Sequence, residues 1–213
     1  VHSVNVALIA SILGQWLKFS EKDIRILTIS GLLHDIGKIM IPNEILTKPG
    51  KLTVAEYNIM KQHVNFGYEK VKNQNIDIRI KEACLLHHEK CDGTGYPFGL
   101  KSDHIPAVAK IIAIADVYDA MTSARVYRGA LCPFEVIDTM YKDAFTKFEP
   151  EYILPFLKNV ASSYINNDVR LSDGRIGKVV LINENALSLP IVQCEDEFID
   201  LSKTRELTVS AIL

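Results

Sequence analysis

Between Ile111 and Met121 every residue is apolar or aromatic except Asp116 and Asp119. A stretch of that composition over residues 107–122 predicts a helix covered on all sides. No small fold buries such a helix without wrapping other elements around it. The helix also carries Asp116, and an ionised carboxylate left alone in an apolar interior is very costly. The surrounding chain must therefore supply a cation or strong donors at that position as well as packing.

The remaining polar residues point to a cation. Five of the six histidines fall with two aspartates into one set: His2, His34, Asp35, His63, His87, His88 and Asp116. Imidazole and carboxylate together suit iron, manganese or zinc. A single histidine in a helical core is usually a hydrogen-bonded structural residue, and His104, before Pro106, reads that way. Seven such residues on separate segments do not reduce to packing, because buried charge is normally paired. Cys91 lies three residues after His88 and reads as a neutral loop cysteine. With Cys84, Cys132 and Cys194 it forms no C-x-x-C pair, which points to reduced thiols.

Composition narrows the partners. Lys and Arg total 24 against 26 Asp and Glu, a net charge of −2. That balance argues against general DNA or membrane binding, so an anionic substrate must be held by a few placed cations. There is no signal peptide and no transmembrane run, and a cytoplasmic location is expected. The start at Val1 reads as a cut within a longer protein, with a sensor or membrane region expected before it.

Residues 1–166 read as mainly helical. Val4, Leu8, Ile12 and Leu13 recur at helical spacing over 2–18. Ser20 and Asp23 make a capping-box pattern, and Thr53 with Glu56 a cleaner one, opening a helix expected to carry His63. Residues 78–88 predict a helix ending in the histidine pair, and the Gly- and Pro-rich stretch 90–106 a loop. Further helices are expected after Pro133 and over 151–165. Beyond Asn166 the pattern changes to short strands: Val179–Ile182, Pro190–Val192 and Leu207–Val209, with a turn at Ser172–Arg175. The expected architecture is a helical domain, 1–166, with a small β-rich appendage, 167–213. Fewer than about 50 residues rarely fold alone, so the appendage should dock on the helices.

The motifs are His34-Asp35-Ile36-Gly37-Lys38, His87-His88-Glu89 with Gly93-x-Gly95-Tyr96-Pro97, and Asp116-Val117-Tyr118-Asp119-Ala120 followed by Arg125-Val126-Tyr127-Arg128. In this order and spacing they resemble the HD-GYP domains, a branch of the HD phosphohydrolase superfamily. The resemblance implies an HD-type helical bundle and a metal-dependent phosphodiesterase that opens cyclic di-GMP to the linear dinucleotide pGpG, with GMP left open as the end product. It places His2, His34, Asp35 and Asp116 on one metal, with Asp35 bridging to a second held by His63, His87 and His88. Two divalent ions are implied, iron or manganese first, with zinc, nickel or magnesium as alternatives. The carboxylate that serves a third metal in some members would precede Val1, so a third ion has no such ligand here.

Two cations about 3.5–4 Å apart would turn a bridging water into hydroxide near neutral pH, which would attack phosphorus. Asp35 and Lys38 are the residues expected at the chemistry. Lys38, about one helical turn past His34, would hold a phosphate. Arg125 and Arg128 would make forked phosphate contacts. At about 100° per residue, Arg125 can share a cleft with Asp116 only if the helix ends near Thr122–Ala124. Asp119 would orient Lys38 or a ligand histidine, or touch substrate. Gly95 and Gly93 allow close backbone approach, and Tyr96 would either pack on a guanine or anchor the loop. The Gly-Tyr-Pro loop is also a candidate surface for other signalling proteins, and a homodimer is left open. The alternatives are hydrolysis of another nucleotide and a signalling module that binds cyclic di-GMP without turnover.

Overall fold

A computed structural model describes residues 1–123, 131–204 and 206–213. Helices α1 (His2–Trp16), α2 (Glu21–Leu33), α3 (Asn43–Leu46), α4 (Val54–Lys61), α5 (His63–Val71), α6 (Ile78–Leu86), α7 (Ala107–Thr122), α8 (Pro133–Lys142) and α9 (Pro150–Ser162) precede five strands. These are β1 (Asp168–Leu171), β2 (Ile176–Leu181), β3 (Ile191–Cys194), β4 (Glu197–Asp200) and β5 (Val209–Ile212). The strands form one antiparallel sheet in the order β4-β3-β2-β1-β5. The chain is thus mainly α with a small C-terminal sheet, as its pattern predicts. No helix among the described residues is long and apolar enough to cross a membrane.

Helix α7 lies at the centre, with Ile111, Ile112, Ile114 and Ala115 fully buried. It ends at Thr122, where Ser123 turns extended, so the backbone leaves the helical path where the sequence required it to. Arg125 and Arg128 lie outside the described residues. Helix α1 packs differently from the spacing of its large residues. Val4, Leu8 and Ile12 are exposed, whereas Val6, Ala7, Ala10, Leu13 and Gly14 are buried. The helix is apolar nearly all round, so periodicity could not choose a face. Its small residues let the neighbouring helices approach closely, and packing favours that side.

Two helix boundaries also differ from expectation. Glu56 completes the capping box at Thr53, but α4 stops at Lys61 and His63 opens a separate helix after a break at Gln62. At Ser20 the shorter Asp23 carboxylate takes the Ser20 hydroxyl at 2.6 Å. The cap keeps the bond from Asp23 N–H to Ser20 Oγ, at 3.2 Å.

The sheet docks on the helices as expected of so short a segment. Its inner residues Val169, Leu171, Val179, Val192, Ile199 and Val209 join one continuous core with Phe134, Ile137, Met140 and Phe156. Strand β4 is not apparent from the sequence because its neighbourhood, Glu195-Asp196-Glu197, is acidic, and strands are poor in such residues. It lies at the sheet edge, where charge discourages pairing with other chains. Strand β5 begins at Val209, two residues later than Leu207, because Val209 pairs with Leu171.

The loop after α2 is a 3-10 helix, Ile36–Met40, pressed against α5. A Cβ on Gly37 would lie 2.0 Å from the His63 carbonyl oxygen and 2.4 Å from the Gly67 nitrogen. Both obstacles are backbone, so neither can turn aside. Gly37→Ala is expected to cost about 1–3 kcal/mol of stability, measured by urea unfolding after chelator treatment. An unchanged midpoint would show that the segment has room to move away from α5.

Candidate metal centre

Three histidines sit where helices end, and each ring is fixed by a carbonyl of the preceding turn. His34 Nδ1 lies 2.7 Å from Gly31 O, His63 Nδ1 2.7 Å from Met60 O, and His87 Nδ1 2.9 Å from Ala83 O. A carbonyl only accepts, so each Nδ1 carries the hydrogen and each Nε2 presents a lone pair. His2, at the first turn of α1, is held by Asp119, whose Oδ2 lies 2.6 Å from His2 Nδ1. Asn5 donates to the other Asp119 oxygen at 2.8 Å.

These lone pairs converge on Asp35. Its Oδ2 lies 3.3 Å from His34 Nε2 and 3.6 Å from His2 Nε2. Its Oδ1 lies 3.3 Å from His63 Nε2 and 3.8 Å from His87 Nε2. One carboxylate therefore faces two nitrogen groups, one with each oxygen. Asp116 closes the arrangement from α7: Oδ1 is 3.0 Å from His2 Nε2, and Oδ2 is 4.0 Å from His88 Nδ1. The structure brings all seven residues of the sequence-derived set to one place. Ligand atoms of Asp35, His63, His87 and His88 lie within 4.8 Å of one another, as do those of His2, His34 and Asp35.

The HD domain family model matches residues 2–152. The chain belongs to the HD domain family. A cyclic di-GMP phosphodiesterase of Pseudomonas aeruginosa is 37% identical over 194 residues, covering 91% of this chain and 47% of that protein. The cyclic di-GMP phosphodiesterase response regulator RpfG of Xanthomonas campestris is 41% identical over 155 residues, covering 72% of this chain and 41% of that protein. The chain thus spans less than half the length of these two relatives. Among solved structures, an HDG"Y"P protein from Bdellovibrio bacteriovorus matches with a TM-score of 0.60 at 23% identity, over 73% of this chain and 50% of that one. At that identity the likeness concerns the fold.

HD domains bind divalent metal, and the chemistry of this donor set fits such ions. Three buried side-chain atoms among the described residues lack any hydrogen-bond partner: Ser30 Oγ, His34 Nε2 and Asp35 Oδ1. The last two face into the HD centre, where cations would satisfy them. His63 Nε2 and His87 Nε2 lie 3.5 Å apart with no hydrogen between them in this tautomer, an arrangement that also calls for a cation. Burial pushes His87 well below the ordinary histidine value and His88 down to about 4, and lowers His63, so all three stay neutral ligands at pH 7. Burial works against ionisation of Asp35, but the adjoining His34 and the Lys38 ammonium outweigh it and hold its carboxyl below the usual range. At Asp116 burial again works against ionisation, and the contact with His2 outweighs it and holds that carboxyl low.

The other HD-site residues take definite places. Lys38 lies over Asp35, with Nζ 2.5 Å from Oδ2, and not one α-turn past His34 as the spacing suggested. The intervening 3-10 helix accounts for this, since it aligns residues i and i+3. Asp119 is buried and orients His2; it makes no contact with Lys38 among the described bonds. Gly95 is wedged against backbone, and a Cβ there would lie 2.4 Å from Lys90 N and 2.5 Å from His88 O. Tyr96 stacks on His88, with centroids 4.7 Å apart at 28°. Cys91 stands apart from the ligand groups, and exposed His104 pairs with Asp103. Two contributors have no role assigned from the sequence: Asn5, outside the motifs, and Glu89, within one. Asn5 could have been suspected from its position one turn after His2. Glu89 is buried, and its carboxylate accepts the Phe98 and Leu100 N–H groups at 2.7 and 2.9 Å, holding the Gly-Tyr-Pro loop.

Asp119→Asn keeps the shape but weakens the anchor of His2. Mn²⁺ affinity at the His2–His34 side is expected to fall about 10–100-fold, with the ion on His63, His87 and His88 retained. Equilibrium dialysis with elemental analysis reads this directly; equal loss of both ions would contradict it.

Proposed function

We propose that residues 1–166 hydrolyse the phosphodiester bonds of cyclic di-GMP, giving the linear dinucleotide pGpG. The observation that carries this is the division of one carboxylate, Asp35, between two clusters of outward-facing imidazole lone pairs. His2, His34, Asp35 and Asp116 would hold one divalent ion, and Asp35, His63, His87 and His88 the other. The mixed nitrogen and oxygen donors suit iron or manganese. Such ions, when bound, offset charge on the phosphodiester and make a water more acidic.

The chain's own residues do the rest. Lys38 borders two cavities, one of about 510 Å³ beside His2 and Ser123 and one of about 450 Å³ beside His63 and Tyr96. Its ammonium therefore stands between two spaces, where a phosphate joining two nucleotides would lie, and would bind a nonbridging oxygen as a point charge. Asp119 and Asn5 keep the His2 ring in place while substrate binds. The loop of Tyr96 forms part of one wall of the site. The two relatives, both named as cyclic di-GMP phosphodiesterases, support this choice of substrate. Residues 167–213 would serve as a supporting appendage.

Mn²⁺-loaded chain is expected to convert cyclic di-GMP to pGpG, followed by chromatography of the products. Asp35→Ala should lose at least about a hundredfold in turnover together with bound metal. Cleavage of 3′3′-cyclic GMP-AMP alone would reassign the substrate. Tight binding of cyclic di-GMP with no product from fully loaded protein would make this a binding module.

A further inference from the structure

The cavity of about 450 Å³ beside His63 is lined by Lys38, Leu46, Tyr57, Met60, His88 and Tyr96 among others. Its size lies in the range of small-molecule sites, about 300–1,000 Å³. It joins two ammonium groups, those of Lys38 and Lys90, and two histidines of the centre to an apolar, aromatic wall. That is the composition a nucleotide needs: charge for the phosphate and a flat surface for the base.

Tyr96 is already engaged. One face stacks on His88, its N–H donates to His88 O at 3.1 Å, and Glu89 pins the loop beyond it. Tyr57, on α4, is the aromatic left open. It is 48% exposed at the cavity wall. Its ring meets Tyr96 nearly edge-on, at 6.4 Å and 82°, which fixes its orientation. The Lys61 ammonium lies over the ring at 5.3 Å from the centroid and at 6.0 Å from that of Tyr96. Lys61 has no carboxylate partner among the described residues. A cation on one face of the Tyr57 ring leaves the other face for a base. The capping box at Thr53 and the Lys48–Glu56 pair hold α4 in place beneath it.

Resting on the phosphodiesterase function proposed above, we propose that Tyr57 is the platform on which one purine base of the cyclic dinucleotide stacks, with Lys61 bracing the ring from behind. Tyr57 lies outside every motif in the sequence, yet it shares a cavity with Lys38 and two ligand histidines. Stacking on an aromatic side chain uses its face and not its hydroxyl, and it tolerates any purine.

Steady-state kinetics of the Mn²⁺-loaded chain with cyclic di-GMP tests this. Tyr57→Ala should raise KM about tenfold, with kcat within about twofold and metal content unchanged. Tyr57→Phe should restore the wild-type KM. Tyr57→Leu, which keeps volume without a π-face, should behave like the alanine variant and stands in for it if alanine unfolds α4. If wild type turns over cyclic di-GMP and both truncating variants keep its KM, the platform assignment is wrong. It is equally wrong if Tyr57→Phe is as defective as Tyr57→Ala, since the hydroxyl would then be what matters. If loaded wild type neither binds nor cleaves cyclic di-GMP, the function proposed above falls and this assignment with it.

Discussion

The centre depends on hydrogen bonds between imidazole Nδ1 atoms and carbonyls at helix ends. The last carbonyls of a helix have no partner within it. Gly31 O, Met60 O and Ala83 O, near the ends of α2, α4 and α6, are met by the rings of His34, His63 and His87. Each contact adds a bond at a helix terminus and fixes which nitrogen of the ring is free; Ala83 O also accepts the His87 N–H, at 3.2 Å. The negative ends of three helix dipoles also point toward the place where cations would sit.

Asp35 can face both nitrogen groups because it stands at a change of helix type. Helix α2 ends at Leu33 and a 3-10 segment starts at Ile36, leaving Asp35 at the hinge between them. The 3-10 spacing then lays Lys38 over the carboxylate, and Gly37 lets the segment close on α5. Each residue of the His34–Lys38 motif thus acts through its position on this short, tightened turn. An unbroken α-helix over the same residues would carry Lys38 to the wrong neighbour.

Much of this was legible in the sequence, and the remainder was hidden for identifiable reasons. The buried helix with its carboxylate, the mainly helical fold with its small C-terminal sheet and the set of convergent ligand candidates follow from composition and spacing. The exposed face of α1 did not, because a helix apolar on all sides carries no phase information. The Asp35–Lys38 pairing did not, because periodicity cannot distinguish a 3-10 turn from an α-turn over five residues. Strand β4 was masked by its acidic turn. Asn5 and Tyr57 carry no pattern of their own and acquire meaning only when distant segments meet. Arg125 and Arg128 rest on sequence alone, since neither falls within the described residues.

The Gly-Tyr-Pro loop shows how a strong motif and a chemical role can separate. Gly95 is needed because His88, Glu89 and Lys90 leave no space for a side chain. Tyr96 is needed because its ring covers His88, and Glu89 is needed because it gathers the loop's N–H groups. All three act on the posture of His88. A loop built in this way can be strictly specified by the metal centre while touching substrate little. The substrate-facing surface is then free to lie on α4, whose exposed side has no such duty to the metals.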